Sequence, residues 1–360
     1  MTIFDEMAPD DFEQVIFSQD KRSGLKAITV LHDTTLGPAI GGIRYYPYAT
    51  EGEALKDAMR LAKGMTYKNA AAGLPHGGGK TVFMKDPDAT INEEAMFRAF
   101  GRIVEGMNGR YIPSVDVGTS SDQMDFIALE TDYVVGSYRR PGASGNPSPT
   151  TGYGVFSGIK AAVQKVFGTD SLEGRTILLE GAGKVGLTVA EYALAEGARV
   201  IATDISEESL LRAKELGCEV VESGKLFDVE ADIYSPCALG GTVNEEMIEK
   251  LKGANVKIVA GAANNQLETD QDGERLKDAG ILYVPDYILN AGGVIHVADE
   301  LNGGFNYERT MKAVKNISNQ IQRVFELAEA NDLPMNKAAD QFAEDRIEAV
   351  LQTKRIYRGK

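Results

Sequence analysis

Thiols and imidazoles are scarce in this chain, and basic residues are outnumbered. Cys218 and Cys237 are the only cysteines in 360 residues. Two thiols make a disulfide framework implausible and fit a reducing cytoplasm. The three histidines, His32, His76 and His296, lie far apart and show no zinc-type spacing, so no structural zinc site is expected. Acidic residues number 53 against 38 basic ones, a net charge of −15. That balance disfavours nucleic acid and anionic membrane as partners. No apolar run approaches the length of a membrane span. The N-terminal MTIFDEMAPDDFEQ lacks the basic-then-apolar order of a signal peptide. A cytoplasmic location is therefore expected. No repeat or low-complexity tract is visible.

Strand and helix patterns alternate along the chain. Residues 26–32 and 81–85 read as strands, and 110–117 as a short strand carrying Asp116 near its end. Residues 51–68 read as a helix, with Leu55, Ala58, Met59, Ala62 and Met65 at helical spacing. Residues 92–107 read as another helix. The stretch YRRPGASGNPSP, residues 138–149, is the best domain boundary. A helix is expected after Phe156, running to about Phe167. Beyond it, strand candidates at 232–235, 257–260 and 281–284 alternate with helical segments. The last sixty residues read as two helices.

The most informative local feature is MTYKNAAAGLPHGGGK, residues 65–80. Three successive glycines cost backbone entropy and supply no side chains, which a chain tolerates where something approaches the backbone closely. Lys80 follows them at the predicted start of a strand, placed to act as a general base. Lys68 leans toward the buried side of its helix, where a lysine needs an anion. The bland alternatives are a tight turn with a solvated lysine and a lysine reaching to water from a helix end.

A second module starts at Arg175. There an apolar strand, the turn Gly181-Ala182-Gly183-Lys184-Val185-Gly186, a helix and a second strand ending in Asp204 follow one another. A lone GxGxxG is weak, but this one has its full context. The first glycine makes the turn, the second admits a pyrophosphate, and the third lets helix pack on strand. Free N–H groups at the helix start attract phosphate. Asp204 is followed by Ile205, Ser206, Glu207 and Glu208, with no adjacent arginine for a 2′-phosphate, which favours NAD over NADP. Asp204 could also serve as a helix N-cap.

With both modules considered, the chain resembles the glutamate, leucine, valine and phenylalanine dehydrogenase family over nearly its whole length. The resemblance rests on LGPAIGGIR (36–44), GMTYKNAAAGLPHGGGK (64–80), DVGT (116–119), GNPSPTTGYGV (145–155), GAGKVG, SPCALGG (235–241), GAANNQ (261–266) and PDYILNAGGVI (285–295). It implies an α/β protein of two domains separated by a catalytic cleft. Residues 1–140 would form an α/β substrate-binding and oligomerisation domain, and 145–325 a Rossmann-type, doubly wound NAD-binding domain. Residues 326–360 would form a helical segment packing back on the first domain. The implied reaction is reversible, NAD-dependent oxidative deamination of an L-amino acid to a 2-oxo acid and ammonium. By the same resemblance Lys80 and Asp116 are catalytic and Lys68 binds the substrate α-carboxylate. Gly181, Gly183, Lys184, Val185, Gly186 and Asp204 bind the cofactor. Thr151, Ala238, Asn264 and Asn290 lie near the nicotinamide or the substrate. The resemblance also implies a homo-oligomer, often an octamer in leucine-specific members.

Substrate choice turns on Ile40, which stands where glutamate-specific relatives carry a lysine for the side-chain carboxylate. An isoleucine cannot pair that charge, and burying it unpaired is costly. With Gly41, Met65, Pro113, Ala291 and Val294, Ile40 points to an apolar substrate side chain. NPSPTTGYGV and the region around Asp116 are most similar to the leucine-specific branch, and YYPYA and GKVG to the valine-specific one. Branched-chain L-amino acids, leucine first, are expected, with valine or phenylalanine specificity as the alternative. A nucleotide-binding regulator would be expected to lack Lys80 or Asp116. A hydroxy-acid dehydrogenase would want a histidine–carboxylate pair. His76 and Cys237 are expected to be a polar loop residue and a buried packing residue, and Glu180 carries no assigned role.

Overall fold

The computed structural model describes residues 2–353. The backbone divides into two units, Met1–Gly145 with His296–Tyr307 and Ala343–Lys360, and Asn146–Ile295 with Glu308–Phe342. This differs from the expected division in two places. Residues 296–307 group with the first unit. The return to that unit starts at Ala343, inside a helix, rather than at 326.

The first unit opens with a short helix α1 (Ile3–Met7). Its five-stranded sheet holds β1 (Gln14–Asp20), β2 (Leu25–Asp33), β3 (Ala39–Tyr46), β4 (Gly77–Met84) and β5 (Tyr111–Val115) in the order β1-β2-β4-β3-β5. β2 is antiparallel to β1 and β4, while β3 is parallel to β4 and β5. Helix α2 (Glu51–Ala71) covers one face. Thr50 caps it by accepting from Glu53 N–H at 3.1 Å. Ala54, Leu55, Ala58, Met59 and Ala62 recur at helical spacing and pack on Ile28, Val30 and Val82. Helices α3 (Glu93–Gly106) and α4 (Ser121–Ala128) supply Phe97, Phe100, Met124 and Ile127 to the core on the other face.

Two strands of this sheet run against the sequence patterns. β1 is half polar, and β3 carries Gly41-Gly42 in its middle. β4 starts at Gly77 rather than Thr81, so all three glycines are strand residues and Lys80 is the fourth of eight. Each glycine admits a different neighbour. A Cβ at Gly77 would stand 2.1 Å from the Asp33 carbonyl oxygen, one at Gly78 2.1 Å from Thr66 N, and one at Gly79 3.0 Å from the Tyr111 ring. The run is a close-packed crossing of β2, α2 and β5 rather than a turn.

The second unit is a six-stranded parallel sheet. Its strands are β6 (Thr176–Glu180), β7 (Arg199–Thr203), β8 (Glu219–Val220), β9 (Ile233–Pro236), β10 (Ile258–Val259) and β11 (Leu282–Tyr283). Their order is β11-β10-β9-β6-β7-β8, the reversal of direction at β6 that marks a doubly wound sheet. Helix α5 (Ser148–Phe167) begins eight residues before the expected point. Its glycines let other elements close on it: Cβ atoms at Gly152 and Gly158 would meet Thr188 at 2.5 Å and Leu289 at 2.1 Å. The connecting helices are α6 (Lys184–Ala195), α7 (Glu207–Leu216), α8 (Glu245–Gly253), α9 (Gln271–Asp278), α10 (Asp286–Leu289) and α11 (Gly292–Ala298). Where two C-terminal helices were expected there are three, α12 (Tyr307–Lys315), α13 (Ile317–Asn331) and α14 (Met335–Thr353), because the chain breaks at Asn316. Among the described residues no helix is long and apolar enough to cross a membrane.

Candidate active site

In the first unit, Lys80 points from β4 into the face covered by α2 and is only 4% exposed. Its Nζ lies 2.9 Å from Asp116 Oδ2, just beyond the end of β5. Burial pushes the Lys80 ammonium below its ordinary pKa. Asp116 pulls it back up, and Arg44 adds to the downward push. For Asp116, burial acts upward, but Lys80 and Arg44 outweigh it and hold the carboxyl below its usual range. Asp116 is fixed by the turn that follows β5. Its backbone N–H donates to Thr119 Oγ1 at 2.9 Å, and that hydroxyl donates to the Ile43 carbonyl at 2.9 Å.

The β3–β4 ladder loosens beside Lys80. Ala39 and Ile40 pair with Gly77 and Gly78, pairing resumes at Ile43 with Thr81, and Gly41-Gly42 are skipped. The Tyr111 hydroxyl donates to the Gly41 carbonyl at 2.9 Å and holds that segment. A Cβ on Gly41 would stand 3.4 Å from Met65 Cγ, so Met65 of α2 lies against it. Ile40 is 1% exposed and Pro113 is buried, whereas Met65 keeps an accessible surface. Lys68 is half-buried in the last turn of α2. Arg44, which the sequence reading did not single out, is a cation that acts on Lys80. Arg44 joins Asp116 to Asp57 of α2, and neither spacing has a local pattern that would announce it.

In the second unit, the glycine turn between β6 and α6 has three distinct roles. Gly181 has φ +100°, and a Cβ there would stand 2.7 Å from Ala238 N. Gly186 lies against the turn, where a Cβ would be 2.1 Å from the Gly181 carbonyl oxygen. Gly183 is exposed and a Cβ on it would meet nothing within 4 Å, so the backbone there faces open space. It caps α6 without a side-chain bond, leaving the N–H groups of the first turn, Lys184 and Val185 among them, without a side-chain acceptor. Asp204 accepts from Ala182 N–H at 2.7 Å and from Ser206 N–H at 2.8 Å. The N-cap of α7 is Ser206, not Asp204.

Asn290, at the end of α10, donates through Nδ2 to the Ala262 carbonyl at 3.0 Å and to Asn264 Oδ1 at 2.8 Å. Its Oδ1 is buried and has no partner among the described residues. Thr151 Oγ1 donates to the Pro147 carbonyl at 2.9 Å and lies against Gly293, next to half-buried Val294. Ala291 is buried. His76 lies in the loop just before β4, as expected, but is buried there, with no partner for Nδ1 among the described residues. Glu180, to which no role was given, accepts from the buried Tyr234 hydroxyl.

The family described as "Glu/Leu/Phe/Val dehydrogenase, dimerisation domain" matches residues 12–133, and "Glutamate/Leucine/Phenylalanine/Valine dehydrogenase" matches 142–216 and 204–354. The chain belongs to the glutamate/leucine/phenylalanine/valine dehydrogenase family. A leucine dehydrogenase of Thermoactinomyces intermedius is 53% identical over 99% of this chain and 96% of its own length. A valine dehydrogenase of Streptomyces albus is 45% identical over 93% and 92%. The crystal structure of L-tryptophan dehydrogenase from Nostoc punctiforme superposes with a TM-score of 0.85 at 39% identity, covering 97% of this chain and 99% of that one. An amino-acid dehydrogenase of this family uses a nicotinamide nucleotide. The second unit fits one: its turn offers an open backbone at Gly183, unspent N–H groups at the start of α6, and a buried acceptor on Asn290.

Proposed function

We propose that this chain catalyses NAD-dependent, reversible oxidative deamination of branched-chain L-amino acids, L-leucine first. In that reaction the amino acid, NAD⁺ and water give the 2-oxo acid, ammonium, NADH and a proton. The observation that carries the reading is a nearly sealed lysine, Lys80, in direct contact with a carboxylate, Asp116. A bound nicotinamide ring would supply the acceptor for the hydride of the substrate Cα. Lys68 holds the α-carboxylate. Lys80, whose ammonium burial makes easier to deprotonate, takes the proton from the water that adds to the iminium carbon. Asp116 moves protons to and from the leaving amino group. Asn290 Oδ1 suits a carboxamide N–H, and Asp204 the hydroxyls of the adenosine ribose. Glu207 and Glu208 at the start of α7 would repel a 2′-phosphate, which supports NAD over NADP.

An apolar substrate is supported by Ile40, a buried side chain with no charge to pair a substrate side-chain carboxylate. Greater identity to a leucine than to a valine dehydrogenase supports leucine first. One methylene changes specificity by only about 1–3 kcal/mol, so activity on valine and isoleucine is expected as well. The match of residues 12–133 to a dimerisation domain supports a homo-oligomer built through the first unit, and an octamer is the form proposed. Cys218 and Cys237 are both free thiols, which fits the cytoplasm as the site of action.

The test is an NADH-absorbance assay with L-leucine, L-valine, L-isoleucine, L-phenylalanine and L-glutamate, using both NAD⁺ and NADP⁺. Leucine with NAD⁺ should give the highest kcat/KM. Activity confined to glutamate would overturn the substrate reading. Lys80→Ala should retain NADH binding and lose most turnover; near-wild-type turnover would remove Lys80 from the mechanism.

A further inference from the structure

Two cations converge on one oxygen of Asp116. Lys80 Nζ and Arg44 Nε stand 2.9 and 3.0 Å from Oδ2. Among the described residues no donor is bonded to Oδ1. Arg44 is fixed from behind, its second nitrogen donating to Asp57 Oδ2 at 2.9 Å. The same Asp57 oxygen accepts from the Tyr48 hydroxyl at 2.7 Å, and Arg60 holds Oδ1 at 2.7 Å. The guanidinium holds the two carboxylates through separate nitrogens at fixed spacing, Nε on Asp116 and Nη1 on Asp57, which a single ammonium nitrogen does not copy.

We propose that Arg44, clamped by Asp57, is a positioning residue that allows Lys80 to work as a neutral base. It anchors Asp116 through Oδ2 and leaves Oδ1 as the oxygen that exchanges protons. This rests on Lys80 being the base. A lysine paired with an aspartate alone would keep its proton, because the opposite charge favours the ammonium. Arg44 never loses its charge and already matches Asp116. Within the cluster Arg44 and Arg60 balance Asp57 and Asp116, so the proton on Lys80 is the surplus charge. Releasing it leaves the cluster neutral and Asp116 still partnered.

The charged and titratable groups around Lys80 come from every neighbouring element. β3 supplies Arg44, and α2 supplies Asp57 and Arg60 with Lys68 in its last turn. Asp116 follows β5, which also brings the Tyr111 phenol, and Tyr48 precedes α2. β2 carries His32, with Lys63 and Asp10 beyond it. Arg44 and Asp57 act on Lys80 with opposite sign, and that is the handle for a test.

The experiment is the pH dependence of kcat for L-leucine oxidation in wild type, Arg44→Gln, Arg44→Lys and Asp57→Asn, with folding checked by thermal melting. The acid limb reports loss of the Lys80 proton. Arg44→Gln should move it to higher pH by at least one unit, giving about a tenfold loss of kcat below the limb that shrinks as pH rises. The leucine KM should stay within twofold. Arg44→Lys should recover part of the shift, because it restores charge without the fork. Asp57→Asn should move the limb the other way, to lower pH. If Arg44→Gln does not fold, the downward shift in Asp57→Asn decides alone. A limb that stays in place, with activity lowered equally at all pH values, would overturn the proposal. So would shifts of the same sign in both variants. A wild type without leucine oxidation would instead overturn the assignment of the reaction, and with it this role of Arg44.

Discussion

One substitution made at two places should have opposite effects. At Gly78, an added methyl group would stand 2.1 Å from Thr66 N, 2.2 Å from Thr66 Oγ1 and 2.6 Å from the Ala62 carbonyl oxygen. Two of these are backbone atoms of α2, so no side-chain rotation relieves the contact. The helix must retreat by about an ångström to reach normal contact distance, which pulls its apolar stripe off Val82 and Val30. Overpacking of this kind costs about 1–3 kcal/mol. At Gly64, on the exposed side of the same helix, a methyl group would meet nothing within 4 Å. Alanine there should gain about 0.8–1.0 kcal/mol in helix propensity. Gly78→Ala and Gly64→Ala should therefore lie about 2–4 kcal/mol apart, on either side of wild type. Urea unfolding followed by far-UV circular dichroism measures this, provided the slopes agree. Gly78→Ala should also lose turnover, because the displaced α2 carries Lys68, the proposed holder of the substrate carboxylate. A Gly78→Ala midpoint equal to wild type, or a Gly64→Ala midpoint below it, would refute the account of the glycine run.

Three further outcomes are expected. Lys68→Ala should raise the leucine KM at least about thirtyfold, the lower end for removing one partner of a desolvated charge pair, with NADH affinity unchanged; a constant KM would remove Lys68 from the carboxylate site. Asp204→Ala should weaken NADH binding about tenfold to a hundredfold by fluorescence titration, as expected for losing charged hydrogen bonds; unaltered affinity would refute its role. Burial lowers the pKa values of His32, His76 and His296 below 6.5. Between those lowered values and 6.5 the unfolded chain binds protons that the folded chain does not. Stability should therefore be complete above about pH 6.5 and fall as pH drops through that window, by at most about 1.4 kcal/mol per unit for each histidine. His32→Asn should flatten the slope measured by urea unfolding between pH 5 and 7, and an unaltered slope would count against the burial argument.

The two units differed in how plainly their sequences spoke. β6, the glycine turn, α6 and β7 were legible because an apolar run, three glycines at fixed offsets and a terminal aspartate each impose a local geometry. The first unit was harder. β3 was unreadable because Gly41 and Gly42 have low strand propensity; they sit there because the segment packs against Met65 and Gly79. The three glycines of β4 misplace its start for the same reason, since close approach of α2 is a tertiary fact. Lys80 was singled out by the glycine run before it, and Asp116 through resemblance to a family. Arg44 and Asp57 were missed because nothing in a run of sequence ties residue 44 to residues 57 and 116. Only the placement of β3 between β4 and β5, beneath α2, puts those charges side by side.

Asp204 sets a limit on redesign. Its carboxylate braces the turn through Ala182 N–H while remaining the group that should meet the ribose. Exchanging it for a residue that welcomes a 2′-phosphate would also unfasten the glycine loop proposed to carry the pyrophosphate. On the proposed NAD preference, a change to the phosphorylated coenzyme therefore calls for a compensating acceptor for Ala182 N–H, brought in together with the new basic side chain. A single substitution would erode affinity for both coenzymes before it favoured either.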